Sequence, residues 1–333
     1  MKKFPALILS CLLAMGAASA STADLPVLTV YTYNSFVSDW GPGPQVKKAF
    51  EAECACRLDF VGVEDGVVLL SRLRLEGPAS KADVVLGLDT NLTAEAAATG
   101  LFAPHGLDTA GLKVPIQWSD RYFLPYDFGY FAFVYDKTRL KNPPRSLADL
   151  AGGEAADKIL IEDPRSSTPG LGLLLWIKQV YGDRAGEVWR QLRPRILTVS
   201  KSWDEAYGLF LKGEAPLVLS YTTSPAYHII AEKKTQYAAD EFPEGHYLQV
   251  EVAGVTAHAP QPALARKFLE FMLSSRFQDV IPETNWMYPA AATSAGLPSA
   301  FPPLPAKSLM IPPDEIARHR KAWVDEWLAA MSP

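Results

Sequence analysis

Hydrophobic and polar positions follow alternating strand and helix periods along the N-terminal third of the chain. Short apolar runs typical of buried strands cover Val27–Tyr33, Leu58–Val63 and Ala82–Leu88. Helical patterns cover Gly43–Glu53 and Val67–Leu75 between these runs. This β-α-β-α order predicts a parallel sheet that is covered by helices.

A second block of the same kind follows the apolar strand pattern Gly129–Tyr135, and a further extended run covers Tyr247–Ala257. The two extended runs would connect the blocks, so we expect an α/β fold with two lobes and two crossing strands. The expected bounds are residues 24–130 with 254–299 for lobe 1, and 131–253 with 300–333 for lobe 2.

Ligands of open α/β sheets bind beyond the carboxyl ends of the strands. In the first lobe, the segments that follow these ends are Tyr31–Trp40, Glu64–Gly66 and Asp89–Asn91. We therefore expect binding residues in these three segments.

Residues 1–20 have the pattern of a signal peptide. A positively charged start and an apolar run lead to the motif Ala18-Ser19-Ala20, which is typical of a signal-peptidase site. The apolar run is too short for a permanent membrane anchor. The residues before Cys11 loosely resemble a lipobox, but the run continues past Cys11, which argues against lipidation. We expect an exported, soluble protein.

Composition narrows the class of protein. The chain has 333 residues, of which 48% are hydrophobic and 11% aromatic, and this disfavours intrinsic disorder. The formal net charge is −5 at pH 7. A general nucleic-acid binder needs a basic surface, so we expect no nucleic-acid partner.

Cys54 and Cys56 are the cysteines outside the signal-peptide pattern. Cysteines of exported proteins are usually paired, but a bridge across the single residue Ala55 is geometrically strained. A zinc site of four cysteine ligands would need a second cysteine pair. The sequence favours a strained local disulfide at a surface turn, with a redox or metal role as the alternative.

Two hydroxyl-rich segments stand between a strand pattern and a helix pattern, at Arg165–Gly172 and Ser220–Tyr227. Ser, Thr and Pro at a helix start leave backbone N–H groups free to bind an anion, phosphate especially. Each segment alone is also explained as a helix cap. Both open towards the same edge of one lobe, which favours a ligand site; neither is a nucleotide-binding phosphate loop.

Aromatic residues supply the second candidate chemistry. Trp203 and Trp286 stand in polar surroundings, which suit exposure at a cleft, and aromatic faces bind flat cationic ligands. Asp65 would add a carboxylate at a strand end, or serve only as a helix cap. The residues expected in the cleft are Tyr33, Trp40, Trp203, Tyr221, Tyr227 and Trp286, whereas those expected in the core are Tyr31, Phe131, Phe133 and Phe271.

No local motif of a hydrolase or metalloenzyme occurs in the sequence. The five histidines stand outside H-E-x-x-H patterns, and no G-x-S-x-G is present. The motifs therefore indicate no catalytic residues, no metal site and no cofactor, but their absence is weak evidence, because catalytic residues can be scattered along a chain.

Several motifs together resemble the periplasmic thiamine-binding proteins, which are the substrate-binding components of ABC importers for thiamine and its phosphates. The resemblance covers nearly the whole chain after residue 20. The motifs that carry it are Val27–Pro44, Glu64–Gly66, Ala82–Asp89, Phe128–Lys137, Asp163–Leu175, Ser220–His228 and Asn285–Pro289.

The resemblance implies a two-lobed periplasmic-binding-protein fold of the type II-like class, with a hinge of crossing strands and no catalytic activity. It also implies a periplasmic location, an inner-membrane ABC permease with its ATPase as partner, and thiamine, thiamine monophosphate or thiamine diphosphate as cargo. The positions that resemble the family's ligand contacts are Asp65, Gly66, Ser167, Thr168, Trp203, Tyr221, Thr222, Thr223 and Ser224, and those that resemble aromatic walls of the cleft are Tyr33, Trp40, Tyr227 and Trp286.

Thiamine chemistry agrees with these residue types. The aromatic faces would hold the aminopyrimidine and the thiazolium, and Asp65 would pair with the cation or accept from the amino group. The hydroxyl-rich turns would take a phosphate tail. Two alternatives stay open: a receptor for another small cationic or anionic solute, and a thiamine-degrading enzyme of the same fold that uses a cysteine nucleophile.

Overall fold

The computed structural model describes residues 25–332. The predicted signal peptide and Cys11 lie outside this range. The strands are β1 (Val27–Tyr33), β2 (Arg57–Val63), β3 (Val84–Asp89), β4 (Phe102–Ala103), β5 (Phe123–Asp136), β6 (Ile159–Glu162), β7 (Ile196–Ser200), β8 (Leu217–Tyr221), β9 (Tyr237–Ala239), β10 (His246–Thr256), β11 (Tyr288–Pro289) and β12 (Ser308–Leu309). The helices are α1 (Asn34–Val37), α2 (Gly43–Cys54), α3 (Gly66–Glu76), α4 (Thr93–Ala97), α5 (Leu147–Gly152), α6 (Thr168–Tyr181), α7 (Ala185–Leu192), α8 (Trp203–Leu211), α9 (Ser224–Ile230), α10 (Pro262–Met272), α11 (Ser275–Gln278), α12 (Ile281–Thr284) and α13 (Pro313–Met331).

The principal strands run in the order β2-β1-β3-β10-β5-β8-β6-β7. Strand β1 is parallel to β2 and β3, and β6 is parallel to β7 and β8. The two parallel groups are the ones that the alternating periods predicted, because each strand is followed by a helix that returns along the sheet. The predicted α/β class is confirmed.

Strands β5 and β10 connect the two groups. Residues Phe123–Tyr130 of β5 pair with β10, whereas Phe131–Tyr135 pair with β8. Strand β10 in turn pairs with β3 through Glu251–Val255. These pairings of β5 and β10 with each other, with β3 and with β8 are antiparallel, as expected of strands that cross between lobes. The residue limits of the lobes stay a prediction.

Strand β5 begins at Phe123, before the start at Gly129 that its sequence pattern predicted, and it includes Pro125. The register with β10 shifts at this point: Asp127 faces Glu251 and Pro125 faces Val252, so Tyr126 is left over. A bulge of this kind accommodates a residue that has no N–H to donate. The bulge lies at the cleft described below.

Helix α13 packs against α6 and α7 on one side and against α4 on the other. Its Arg320 forms a two-pronged ion pair with Glu95 of α4, with both N–O distances at 2.8 Å. Glu326 of the same helix accepts from Lys178 of α6 at 2.8 Å. The C-terminal helix therefore contacts elements that belong to both strand groups.

Cys54 and Cys56 form a disulfide around Ala55, whose φ of 49° ends helix α2. Both cysteine side chains are buried and pack in the core cluster that includes Val46 and Phe50, but Ala55 between them is exposed, so the bridge lies at a surface turn as predicted. The four aromatic residues predicted for the core are buried, with exposed fractions of 5% or less. Within the described range, no helix has the length and apolar character needed to cross a membrane.

Candidate ligand-binding cleft

A cavity of about 560 Å³ lies between the two strand groups, at the carboxyl ends of β1, β2 and β8. The starts of α6 and α8 and the residues after α12 complete its wall. Strand ends of both groups meet here because the crossing strands place the two sheets edge to edge. Most of the site residues predicted from the sequence line this cavity: Tyr33, Trp40, Asp65, Thr168, Trp203, Tyr221, Ser224, Tyr227 and Trp286.

One aromatic wall is formed around Trp203, the first residue of α8. Its ring stacks on Tyr207 one helical turn later, with 5.0 Å between centroids and 22° between planes. Its indole N–H donates to the Ser220 hydroxyl at 2.8 Å, which fixes the orientation of the ring. Trp40, from the other strand group, lies 6.3 Å away and is 51% exposed. The rings of these two tryptophans are tilted by 56° to each other, and both line the cavity.

A second aromatic wall consists of Tyr227 and Trp286, which meet edge to face at 5.3 Å. Both are half-buried, as a cleft residue should be. Trp286 has a φ of 56°, a left-handed backbone conformation that is rare for a bulky residue. Its N–H donates to the Ile281 carbonyl at 3.1 Å, which helps to hold the turn after α12. Strain of this kind concentrates at functional sites.

Asp65 precedes helix α3 and caps it, because its carboxylate accepts from the Gly66 N–H at 2.7 Å. The same carboxylate also reaches the other strand group. It accepts from the Thr168 N–H at 3.0 Å and the Ser167 hydroxyl at 2.9 Å, both at the start of α6. The Trp203 N–H at the start of α8 donates to it at 3.3 Å. Asp65 thus joins the first strand group to two helix starts of the second.

The electrostatics of Asp65 follow from this position. Burial raises the pKa of its carboxyl, and the N–H and hydroxyl donors oppose the rise. The positive ends of two helix dipoles also favour a negative charge here. We call Asp65 together with Ser167, Thr168 and Trp203 the Asp65 junction.

Gly66 and Ser167 do not line the cavity but make the Asp65 junction possible. A side chain at Gly66 would place its Cβ 2.6 Å from the Gly87 carbonyl oxygen and would also clash with the Thr168 hydroxyl. Only glycine lets the start of α6 approach this closely. Ser167 is buried, and its hydroxyl donates a hydrogen bond to the Asp65 carboxylate.

The second hydroxyl-rich turn contributes less to the cavity than its sequence indicates. Ser224 lines the cavity; its hydroxyl lies 2.7 Å from that of Ser220 and accepts from the Tyr221 N–H at 3.2 Å. Thr223 is fully buried, and Thr222 lines a separate depression beside Phe242. Strand β8 ends at Tyr221, and the turn that follows carries these two threonines away from the cleft. Of the four residues predicted in this turn, Tyr221 and Ser224 line the cavity, whereas Thr222 and Thr223 do not.

Two buried acidic residues at the cleft floor, Asp127 and Glu251, were missed in the sequence, whereas Asp89 beside them belongs to the predicted strand-end segment Asp89–Asn91, which does not line the cavity. Glu251 lines the cavity, and its register partners are Asp127 on β5 and Asp89 on β3. Cross-strand partners point to the same face, so the three carboxyls form a row across three adjacent strands. We call Asp89, Glu251 and Asp127 the acidic row. Charged residues inside otherwise apolar strands were the feature in the sequence that could have revealed it.

Glu251 is the best satisfied member of the acidic row. Its carboxylate accepts from the Tyr126 hydroxyl at 2.8 Å, the Tyr33 hydroxyl at 3.0 Å, the Gln249 amide at 3.2 Å and the Asn285 amide at 3.3 Å. Asp89 accepts only from the backbone and side chain of Asn91. Asp127 accepts from Asn285 at 2.6 Å, and its second oxygen has no partner.

Burial raises the pKa of all three carboxyls. The pKa of Asp89 rises to about 8, with the charge of Glu251 adding to the effect of burial. Burial and the charge of Glu251 also hold the pKa of Asp127 well above its usual range. Burial raises the pKa of Glu251, while its hydrogen-bond donors oppose the rise. Like charges this close do not all ionise, so the outer two carboxyls hold protons more readily than Glu251.

Comparison with known proteins agrees with this geometry. The family model described as bacterial extracellular solute-binding protein matches residues 79–318. The thiamine-binding periplasmic protein of Brucella melitensis is 57% identical over 334 residues, covering all of both chains. The protein of the same name from Escherichia coli is 57% identical over 97% of this chain and 98% of its own length.

A solved structure described as a periplasmic thiamin binding protein superimposes with a TM-score of 0.90. It is 58% identical, and the match covers 93% of this chain and 97% of that one. The two-lobed binding-protein fold and the resemblance that the motifs indicated are both confirmed by these matches. The family and these relatives are binding proteins rather than enzymes. The chain therefore belongs to the bacterial extracellular solute-binding protein family, in which it resembles the periplasmic thiamine-binding members.

Proposed function

We propose that this protein is a periplasmic receptor that binds thiamine, thiamine monophosphate and thiamine diphosphate in the cleft and needs no cofactor. It would deliver them to the permease of an ABC importer that is driven by its ATPase. The observation that carries the proposal is the full-length identity of 57% to a thiamine-binding periplasmic protein. The cleft supports it, because aromatic faces and carboxylates suit a flat ligand with a permanent positive charge.

The two aromatic walls are the proposed sites for the two rings of thiamine. Trp203 is held by Tyr207 and Ser220, so its face is already oriented before the ligand arrives. Tyr227 and Trp286 offer a second face and edge on another side of the cavity. Stacking of this kind contributes about 0.5–1.5 kcal/mol for each aromatic contact beyond the area that it buries.

The starts of α6 and α9 are the proposed phosphate end of the site. Thr168 and Ser224 line the cavity and would donate their hydroxyls, whereas Thr222 and Thr223 are left out because they face elsewhere. The carboxylate of Asp65 already accepts from the N–H groups of Thr168 and Trp203. A phosphate would therefore have to share these donors with a carboxylate of the same charge sign.

We also propose that the protein carries out no reaction on its cargo. The thiamine-degrading alternative needs a free cysteine thiolate as nucleophile. Within residues 25–332, Cys54 and Cys56 are bonded to each other in the core beneath α2, and neither lines the cavity.

Calorimetric titration of the mature protein with thiamine and both phosphates tests the proposal. We expect saturable binding of one ligand per chain, and mass spectrometry should recover the thiamine intact after incubation. Absence of heat and of any spectroscopic change at micromolar protein would overturn the assignment of the cargo. Cleavage of thiamine between its two rings would instead support the alternative of a thiamine-degrading enzyme.

Tryptophan fluorescence locates the binding. Binding should change the emission of the protein, and Trp203→Phe or Trp286→Phe should reduce that change because both rings line the cavity. Trp323→Phe is the matched control, since Trp323 lies on α13 and stacks on His319. An equal reduction in all three variants would place the ligand outside this cleft.

A further inference from the structure

The acidic row contains a buried negative charge for which the protein supplies no cation. Glu251 is 6% exposed, and Asp89 and Asp127 are fully buried. Among residues 25–332, no Lys, Arg or His nitrogen lies within 4.0 Å of any of the three carboxylates. Buried charges are ordinarily paired, because an isolated one is costly to remove from water. The unpaired row therefore needs an explanation.

The three carboxyls differ in what surrounds them, and this decides which one carries the charge. Hydrogen bonds to a carboxylate favour its ionised form. Two tyrosine hydroxyls and two side-chain amides converge on Glu251, whereas Asp127 has one oxygen without any partner. The charge is thus best held at the centre of the row, with protons on its outer members.

The position of Glu251 directs this charge into the cleft. Of the three carboxyls, it is the one that lines the cavity, beside Tyr33 and Asn285 and near Trp286. The hydrogen bonds that it accepts already occupy most of its lone-pair positions. What Glu251 still offers to a ligand is its negative charge rather than a further hydrogen-bond acceptor.

We propose that Glu251 is the counterion of the cationic ring of the cargo and thereby decides the specificity of the cleft for a positively charged ligand. Asp89 and Asp127 act as positioning residues, because their protons confine the charge to Glu251. This inference rests on the proposed function and goes beyond it, since it assigns the recognition of the thiazolium charge to a residue separate from Asp65.

The experiment compares two ligands that differ in charge and little else. One is thiamine, and the other is an isosteric analogue with a neutral thiophene ring in place of the thiazolium. Calorimetry at pH 7.5 gives the ratio of their affinities for the wild-type protein and for Glu251→Gln. Glutamine keeps the size of the side chain and still accepts hydrogen bonds from Tyr33 and Tyr126, so the fold should be retained; thermal unfolding of the empty variant checks this.

We expect the wild-type protein to prefer thiamine over the neutral analogue by roughly 30-fold or more, the scale of a desolvated charge pair. In Glu251→Gln this preference should fall to a few-fold, through weaker binding of thiamine and nearly unchanged binding of the analogue. Glu162→Gln is the matched control: Glu162 is as buried as Glu251 but does not line the cavity, and its variant should keep the wild-type preference.

Each outcome has a separate meaning. If the wild-type protein binds both ligands equally, or if Glu251→Gln weakens both by the same factor, the assignment of Glu251 is overturned while the thiamine receptor stands. If the wild-type protein binds neither ligand, the proposed function itself fails. An equal loss of preference in Glu162→Gln would show that the preference for a cation arises from the general field of the buried acids and not from Glu251 as a specific counterion.

Discussion

The Asp65 junction and the acidic row are both built from buried carboxyls, but the protein treats them differently. At Asp65, the N–H groups of two helix starts and a serine hydroxyl surround one carboxylate. In the acidic row, three carboxyls lie opposite each other across adjacent strands, and side-chain donors converge on the central one, Glu251. The negative charge at Asp65 is therefore supported by backbone N–H groups and helix dipoles, whereas in the row it is supported by side-chain donors to Glu251 and by the protons that its neighbours hold.

The comparison shows that residue type alone does not determine the role of a buried acid. The Asp65 carboxylate bridges the two strand groups, so its contacts depend on the closed arrangement of the cleft. The contacts of the acidic row lie within one group of adjacent strands and the turn after α12. We expect changes at Asp65 to affect closure of the cleft and changes in the row to affect the charge that the ligand meets.

The largest effect is expected for Asp65→Ala. This change removes the carboxylate that caps α3 and that accepts hydrogen bonds from the starts of α6 and α8. Charge-assisted hydrogen bonds contribute about 1.5–3 kcal/mol each and are not additive, so thiamine affinity should fall by about 3 kcal/mol, or roughly 100-fold. Calorimetry measures this loss. Ser166→Ala is the control in the same turn, because Ser166 donates to the Lys201 carbonyl and not to Asp65. Unchanged affinity in Asp65→Ala would reduce Asp65 to a cap of α3.

The next largest effect is expected for the two aromatic walls of the cleft. Trp203→Ala and Trp286→Ala should each weaken thiamine by about 1–3 kcal/mol, through lost stacking and cation–π attraction. Trp203 belongs to the Asp65 junction, and Trp286 follows Asn285, which donates to the acidic row, so the two losses report on the two ends of the ligand. Thermal unfolding without ligand should change little, because both side chains are half-buried. A large drop in the melting temperature would show that they belong to the core.

The pH dependence of stability tests the acidic row without ligand. The pKa of Asp89 is about 8 in the folded protein and near 4 in an unfolded chain, so the folded state holds its proton over that interval. This contribution to stability is complete below about pH 4 and is lost as the pH rises towards 8, with a slope of up to about 1.4 kcal/mol per pH unit. The empty protein should therefore unfold at a lower temperature at pH 8 than at pH 5.

Asp89→Asn carries no proton to lose, so its melting temperature should fall less between pH 5 and pH 8. Asp325→Asn, which removes an exposed carboxylate on α13, should behave as the wild type. Identical pH profiles for the wild type and Asp89→Asn would show that Asp89 is ionised in the folded protein.

The smallest effect is expected in the preference among the three proposed cargoes. Asp65→Asn removes a negative charge beside the start of α6, one of the two helix starts proposed for the phosphate. The affinity for thiamine monophosphate relative to thiamine should rise by about 0.3–1 kcal/mol, or roughly 2- to 5-fold, the scale of a charge at a helix N-terminus. Glu251→Gln should leave this ratio unchanged, because all three cargoes carry the same thiazolium. Competition calorimetry measures both ratios, and an unchanged ratio in Asp65→Asn would place the phosphate elsewhere.

Much of the fold was determined by the sequence itself. Periods of two and near four residues predicted β1, α2, β2 and α3 within two residues of their observed ends, because each period reports which face of a local segment is buried. The strand-end rule likewise pointed to Tyr33, Trp40 and Asp65, all of which line the cavity. The sequence also favoured the disulfide between Cys54 and Cys56, because cysteines of exported proteins are usually paired.

Other features were decided only by the tertiary structure. Thr222 and Thr223 carry hydroxyl groups as Ser224 does, but the turn after β8 places them away from the cleft. The acidic row exists because β10 is inserted between β3 and β5, which brings Glu251 opposite both Asp89 and Asp127. A local period records which residues are buried, but not which distant strand lies beside them. The topology of the whole sheet decides which strands are neighbours, and it thereby decides the charge at the floor of the cleft.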